Sequence, residues 1–415
     1  QGGNLVYGVF RNCASSPGTT GTDIRSEARF DVLQTEFNQW TFSGEHDFTD
    51  RFRGSFTIGS AESAHSNPIQ TTLLWDANNI PYFSYDYRGN GRLPVMDYGA
   101  TDVTNASIWT LSQIRMRPQT ATNTFDTAYA ELELDLNETW TLRGGLNWKQ
   151  FDFVTTEMRR DPLQAGVGCS GVVTAATNAE ACLGQTPVVS PTLYDTLVAL
   201  NGSSLDIPAG NTNIWSSPDF GLAQTALDLN NPARYPLSMI PALGNNRSVT
   251  ETDGGVFFQA DWDTDIANMP FRGNIGFRYV ETRQESTGYA PIIAAPFYEA
   301  VTSERMYSDT LPSMNMVIEP IDDFLIRFGA AKVMARPGLG NLNPAPSVSI
   351  SGANRTITIG NPNLDPFRAT NYDLSFEWYF AEESLLSVAF FQKEIDSFVT
   401  TFRTDIPNYY ANPAG

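Results

Sequence analysis

Strict alternation of apolar and polar residues, sustained beyond the length of an ordinary strand, is what most constrains this chain. In Trp140–Lys149 the residues Trp140, Leu142, Gly144, Leu146 and Trp148 share one face, while Thr141, Arg143, Gly145, Asn147 and Lys149 share the other. A period of two puts successive side chains on opposite sides of an extended backbone, so the segment is a strand with one apolar and one polar side. Ala128, Ala130, Leu132, Leu134 and Leu136 alternate likewise with Tyr129, Glu131, Glu133 and Asp135, and the pattern returns at Val256–Asp263, Phe271–Tyr279 and Tyr372–Phe380. Trp140 and Trp148 lie eight residues apart on one face, or roughly 26 Å along a strand. With strand tilt, that sets one ring near each edge of an apolar band about 25 Å tall. Strands of soluble sandwiches average about six residues and do not reach so far.

The connections alternate in length. Short polar turns are expected at Gly44–Asp50, Arg88–Pro94, Asn137–Thr139, Thr264–Pro270, Glu319–Asp323 and Ala381–Ser384. Longer irregular stretches are expected at Ala61–Asn78, Met116–Thr122, Arg159–Thr250, Gly288–Val301 and Pro337–Ala369. Short turns on one side of a membrane and long loops on the other are the plan of a transmembrane barrel. The expected fold is therefore all-β, a transmembrane antiparallel β-barrel, with about twelve strands in this chain. No run approaches the roughly 20 apolar residues of a spanning helix, and alternating barrel strands would not produce one.

Charge narrows the partners. The chain carries 46 acidic and 26 basic residues, a formal net charge of −20, which repels phosphate backbones and argues against nucleic acid as a partner. It argues equally against a basic surface resting on anionic lipid. Aromatic residues make up 12%, a payload that disordered acidic chains lack.

Several blocks then resemble a known family. Leu311-Pro312-Ser313-Met314-Asn315 is followed by Ala335-Arg336-Pro337, by Gly360-Asn361-Pro362-Asn363-Leu364-Asp365-Pro366, by Asn371-Tyr372-Asp373-Leu374 and by Phe391-Gln392-Lys393-Glu394-Ile395. In order and spacing, Tyr307–Val399 resembles the later barrel of TonB-dependent receptors, in particular those of sugar-scavenging Gram-negative bacteria. Arg272–Tyr279 is similar to an earlier strand of that family; Arg25-Ser26-Glu27 and Ser66-Asn67-Pro68 fit more loosely. The resemblance implies a barrel of about 22 strands with a plug. This chain (1–415) is expected to supply part of the wall, with 159–250 its longest extracellular loop. Neither a plug, a TonB-pairing box nor a terminal aromatic strand is recognisable, so the sequence reads as an internal segment of a longer polypeptide.

The implied function is binding and active import of a scarce ligand across the Gram-negative outer membrane, with a carbohydrate oligomer first. A siderophore, another metal chelate or cobalamin is the alternative, as is a passive porin-like barrel. The implied partners are outer-membrane lipid, the TonB energy-transducing complex through a segment outside this chain, the ligand and a surface lipoprotein. Flat rings stack on sugars or wide chelates, so Trp75, Tyr82, Trp215, Phe220, Tyr235, Tyr289, Phe297 and Tyr298 are the candidate ligand contacts; each would equally serve to pack its own loop. Trp215, Phe220 and Tyr235 fall in 159–250, which is expected to control ligand capture.

No catalytic constellation, cofactor or metal is expected. His46 and His65, the only histidines, lie in no metal-ligand spacing. Asp261, Asp263 and Asp265 imitate the start of a calcium loop but lack its glycine and closing glutamate. They read, like Glu131, Glu133 and Asp135, as lumen wall. Cys169 and Cys182 lie close enough in one turn-rich stretch for an expected disulfide, although two free thiols fit the spacing too; Cys13 has no evident partner.

Overall fold

The computed structural model describes residues 6–11, 21–160, 194–202, 208–232, 235–291, 298–351, 354–401 and 403–404. The first strands are β1 (Tyr7–Arg11), β2 (Thr22–Thr49), β3 (Phe52–Ile80), β4 (Tyr82–Asp86), β5 (Val95–Asp97), β6 (Thr110–Met116), β7 (Gln119–Asp135) and β8 (Trp140–Glu157). Then come β9 (Arg159–Arg160), β10 (Leu197–Asn201), β11 (Ile214–Pro218), helix α1 (Phe220–Leu227) and β12 (Leu237–Ser238). The remainder are β13 (Arg247–Ile266), β14 (Met269–Pro291), β15 (Tyr298–Ile321), β16 (Phe324–Ala335), β17 (Ser347–Ser351), β18 (Asn354–Thr358), β19 (Phe367–Ala381) and β20 (Ser384–Ile395). The chain divides into two compact units: Gln1–Thr35, His65–Ala121 and Thr155–Asn246 form the first, and Glu36–Ala64, Thr122–Val154 and Arg247–Gly415 the second.

The wall is an eleven-stranded sheet in the order β2-β3-β7-β8-β13-β14-β15-β16-β19-β20, with β6 also on β3. The expected twelve strands are thus eleven, in ten positions, because β6 and β7 share β3. Only Arg117 and Pro118 separate them, and a proline cannot donate to a ladder.

In the second unit the alternation becomes two chemically distinct faces. Leu146 (61% exposed), Phe258, Ile275, Phe277, Trp378, Leu386 and Phe390 are exposed on the apolar face. The opposite face carries a connected polar lattice. Arg53 bridges Glu133 (2.5 Å) and Asp135 (3.1 Å), and Arg143 lies 3.2 Å from Glu133 and 3.5 Å from Asp261. Gln259 donates to Asp261 (2.8 Å), Asn315 to Asn274 (3.0 Å), and Arg327 pairs with Glu377 (2.9 Å). The register is what brings these together: Asp261↔Asn274, Asn274↔Asn315, Asn315↔Gly329 and Gly329↔Asp373 form one polar row. A one-residue slip would turn every one of these groups onto the apolar face. Gly145 leaves room on the polar face for Phe257, whose ring stacks on Tyr129 at 5.8 Å.

Short hairpins join the strands at one end of the second unit. In the β13–β14 turn both loop residues, Ala267 (φ 52°) and Asn268 (φ 64°), are left-handed. That is the two-residue geometry that matches strand twist. Asparagine tolerates it, but alanine pays about 1–2 kcal/mol for its Cβ. Ala267→Gly should therefore stabilise the fold by up to about 1 kcal/mol after glycine's larger entropy loss, read as a higher urea midpoint in detergent; a lower midpoint would contradict the turn geometry.

Several expected loops are in fact ordered strands. Ala61–Asn78 lies within β3, and Met116–Thr122 is a tight passage from β6 to β7. Leu73, Leu74 and Trp75 are all buried, so both faces of β3 are covered there and the alternation that marks a half-exposed strand disappears. The expected short turn Arg88–Pro94 joins β4 to β5 in the small sheet β1-β4-β5 rather than two wall strands.

Candidate ligand-facing site

The first unit is built on the upper length of β3. Leu73, Trp75, Ala77 and Ile80 from β3 meet Leu111, Ile114 and Met116 from β6, with Val103 and Trp109. The insertion expected at 159–250 contributes Ala223, Leu227, Leu229 and Tyr235 to the same apolar core. Helix α1 presents Ala223 and Leu227, four residues apart and so on one face. Asp219 caps its start by accepting from Leu222 N–H at 2.9 Å. At its end the Tyr235 hydroxyl donates to the Leu227 carbonyl (2.8 Å), which has no helical partner of its own.

Polar clips hold the insertion down. Ser26 donates to the Ser216 carbonyl (2.8 Å), and Ser216 donates to the Thr104 carbonyl (2.9 Å). Asn211 accepts from Met96 N–H (3.0 Å) and donates to the Pro94 carbonyl (2.7 Å). At the root, Asn246 accepts from Glu157 N–H (2.7 Å), and Asn245 donates to the Glu157 carboxylate (2.8 Å). The described part of this insertion is thus a folded element rather than a flexible loop.

The candidate contacts divide accordingly. Trp75 (1% exposed) and Tyr235 (3%) are core residues whose faces are covered, and their reading as ligand contacts gives way to packing. Trp215 and Phe220 pack against that core, half-buried, and Phe220 stacks on Phe30 at 4.9 Å. Tyr82 belongs to the β1-β4-β5 sheet, with the Arg11 guanidinium over its ring at 5.4 Å. Tyr289 and Tyr298 lie in the second unit, where β14 ends and β15 begins, with Tyr289 facing Ala300 and Tyr298 facing Pro291. Phe297, Cys13, Cys169 and Cys182 lie outside the described residues.

Among the guanidinium–aromatic pairs that were not anticipated from the sequence, two lie in the small sheet of the first unit. Besides Arg11 on Tyr82, Arg88 covers the Tyr7 ring at 4.2 Å. Arg88 also grips Asp86 through two nitrogens (2.9 and 2.7 Å), and this fork, with the Arg88 backbone N–H, holds the Asp86 carboxyl down at about 2. Burial pushes the nearby Tyr98 phenol up. Tyr7, Val9 and Arg11 are exposed, so β1 offers ring, methyl and guanidinium groups to solvent. Cross-strand register, which pairs Arg11 with Tyr82, decides this arrangement.

His46 meets the edge of Phe48, and His65 Nδ1 lies 3.1 Å from Thr35 Oγ1. Among the described residues no group of three or more His, Cys, Asp or Glu could hold a metal ion.

An antiparallel sheet with an exposed apolar face, an inward polar lattice and short hairpins at one end is the wall of an outer-membrane barrel. The family model "TonB dependent receptor-like, beta-barrel" matches residues 184–415, more than half of the chain, and the chain belongs to that family. Proteins of this family lie in the outer membrane of Gram-negative bacteria. Among solved structures the chain is similar to the ferric-catecholate import receptor Fiu of E. coli K12, with 12% identity, TM-score 0.33, and coverage of 94% of this chain and 54% of that one. The ferric yersiniabactin uptake receptor FyuA of Yersinia pestis gives 10%, 0.33, 90% and 55%; the alcaligin receptor FauA of Bordetella pertussis gives 9%, 0.31, 98% and 54%. The chain spans about half the length of these structures. No curated protein matches the sequence.

Proposed function

We propose that the protein is a TonB-coupled receptor that captures a scarce ligand outside the cell and imports it across the outer membrane. The observation that carries this is the apolar core that the insertion at 159–250 helps to build within the first unit: a diffusion pore has no use for one. The segment 159–250 is the capture element in this reading.

For the ligand, a compact anionic chelate fits the exposed chemistry better than a carbohydrate oligomer. Two of the large rings available for sugar stacking, Trp75 and Tyr235, are spent on the core. The exposed Tyr7 ring and the half-buried Tyr82 ring of the small sheet sit instead beside guanidinium groups, a pairing suited to an acidic aromatic ligand. The carbohydrate reading rests on the resemblance of Tyr307–Val399 to receptors of sugar-scavenging bacteria. Uptake of radiolabelled ferric chelates and of labelled oligosaccharides should be compared in cells with and without the full receptor gene. Loss of ferric uptake on deletion, and a drop of about tenfold in chelate affinity for Arg11→Ala, is expected. Loss of oligosaccharide uptake alone would establish the other ligand class, and uptake that persists without TonB would overturn active import.

A further inference from the structure

The chain contains two Asn-Gly pairs, Asn90-Gly91 and Asn201-Gly202, and neither takes part in ligand capture as proposed above. An asparagine before glycine carries a reaction of its own. The glycine nitrogen can attack the side-chain carbonyl carbon, because no Cβ on the glycine restricts the backbone rotation that brings the two together. Both asparagines are exposed, so exposure does not separate them. Their surroundings do.

Asn201 ends β10 and stands opposite Ile214 in the β10–β11 ladder. The Gly202 N–H donates to the Asn213 carbonyl at 2.7 Å. Gly202 is buried, and a Cβ on it would touch the Trp215 ring at 3.5 Å. Attack by this nitrogen would first have to break that bond and turn the backbone out of its extended form.

Asn90-Gly91 lies in the β4–β5 connection, where Arg88–Leu93 are all exposed. Both ends of the connection are pinned. Arg88 binds Asp86 through its backbone N–H (2.9 Å) and through its side chain, and the Pro94 carbonyl accepts from Asn211 (2.7 Å). Between the pins, the Asn90 side-chain oxygen accepts from the Arg92 N–H at 2.9 Å and from the Leu93 N–H at 3.2 Å. Two backbone donors on one carbonyl oxygen draw electron density from its carbon. They also stand where negative charge develops as a nucleophile adds, which is the arrangement of an oxyanion hole.

Other asparagines carry these features separately. Asn137 has the same cradle, with the Thr139 and Trp140 N–H groups both at 2.9 Å. Glu138 follows it, and a side chain there restricts the approach. Asn361 accepts from the Asn363 N–H at 2.9 Å but precedes Pro362, which has no N–H to lose.

We propose that Asn90 is a self-modification site, at which the Gly91 nitrogen closes a succinimide ring on the Asn90 side chain. The Gly91 nitrogen bonds to Cγ and gives up its proton, which passes through solvent to Nδ2. The Cγ–Nδ2 bond breaks and ammonia leaves. Water then adds across either C–N bond of the imide ring. Opening on one side gives aspartate, and opening on the other gives isoaspartate, which lengthens the main chain by a methylene. Either product places a new carboxylate between Arg88 and Arg92.

The test incubates the full receptor in detergent at mildly alkaline pH, folded and unfolded in guanidinium chloride, and follows both pairs by peptide mass spectrometry. In the folded protein Asn90 should lose its amide about tenfold faster than Asn201, or more, because only Asn90 can reach the attack geometry. After unfolding the two rates should converge, since ladder and cradle are both gone. Gly91→Ala should slow the reaction at Asn90 by about tenfold; its Cβ meets no described atom within 4 Å, so the fold is kept. The product at Asn90 should be a mixture, with isoaspartate detected by its isoaspartyl methyltransferase reaction. Equal rates in the folded protein, or the same ratio after unfolding, would overturn the proposal, because the structure would then contribute nothing. Aspartate alone at Asn90, or a rate unmoved by Gly91→Ala, would overturn it too, since direct hydrolysis needs no glycine nitrogen and gives no isoaspartate.

Discussion

Trp75→Ala should destabilise the first unit by about 3–5 kcal/mol, the largest single-residue effect expected in the protein. The ring lies at the centre of the core that joins β3, β6 and α1, so truncation leaves a cavity that several elements cannot all close. Among the described residues its buried indole N–H has no hydrogen-bond partner, so the loss is one of packing. Trp75→Phe, which keeps most of the ring and removes the unanswered donor, should cost far less than alanine. Protease cleavage within 194–246 is the readout, with the ladders of the second unit left to insert normally. If Trp75→Ala weakened ligand binding with no gain in cleavage, the ring would be a contact after all, and the packing account would fail.

Phe258→Arg and Gln259→Arg should differ sharply although the positions are adjacent. Phe258 is exposed on the apolar face, among Val256, Ala260, Ile275 and Phe277, where an arginine near the bilayer midplane costs about 2–4 kcal/mol. Gln259 is on the polar face beside Asp261, where a further guanidinium meets a carboxylate and water. Unfolding free energies of the two variants in lipid vesicles should separate by that amount, the former being the weaker. Equal stabilities, or the reverse order, would mean that the faces had been assigned the wrong way round.

These two predictions come from different levels of description, and the difference shows what could be read from residues alone. The alternation in Trp140–Lys149 and Val256–Asp263 identified a half-apolar strand without any knowledge of its neighbours, because the period of two is a property of one extended chain. The same reasoning missed the upper part of β3, where Leu73, Leu74 and Trp75 are buried on both faces and leave no period to detect. It also offered Trp75 and Tyr235 as ligand contacts. Whether an aromatic ring in an insertion faces a ligand or its own core depends on what packs against it, and the sequence does not state that.

Arg336 marks the same boundary from the other side. Ala335-Arg336-Pro337 was legible as the end of a strand, since proline closes the ladder locally. That its guanidinium reaches Asp253 and Glu251, more than eighty positions earlier in the chain, follows from the order of strands in the sheet. A signal was present in the inward, two-apart spacing of Glu251 and Asp253, but nothing local tied it to Arg336. Strand character and facing in the alternating segments, the hairpins at Asn137–Thr139, Thr264–Pro270, Glu319–Asp323 and Ala381–Ser384, and the membrane-type wall were thus determined by the sequence itself, because each depends on residues a few positions apart. The core of the first unit, the aromatic–guanidinium pairs and the contacts of Arg336 with Asp253 and Glu251 were decided only by tertiary structure, because each requires contacts between residues that only the ladder register and long-range packing bring together.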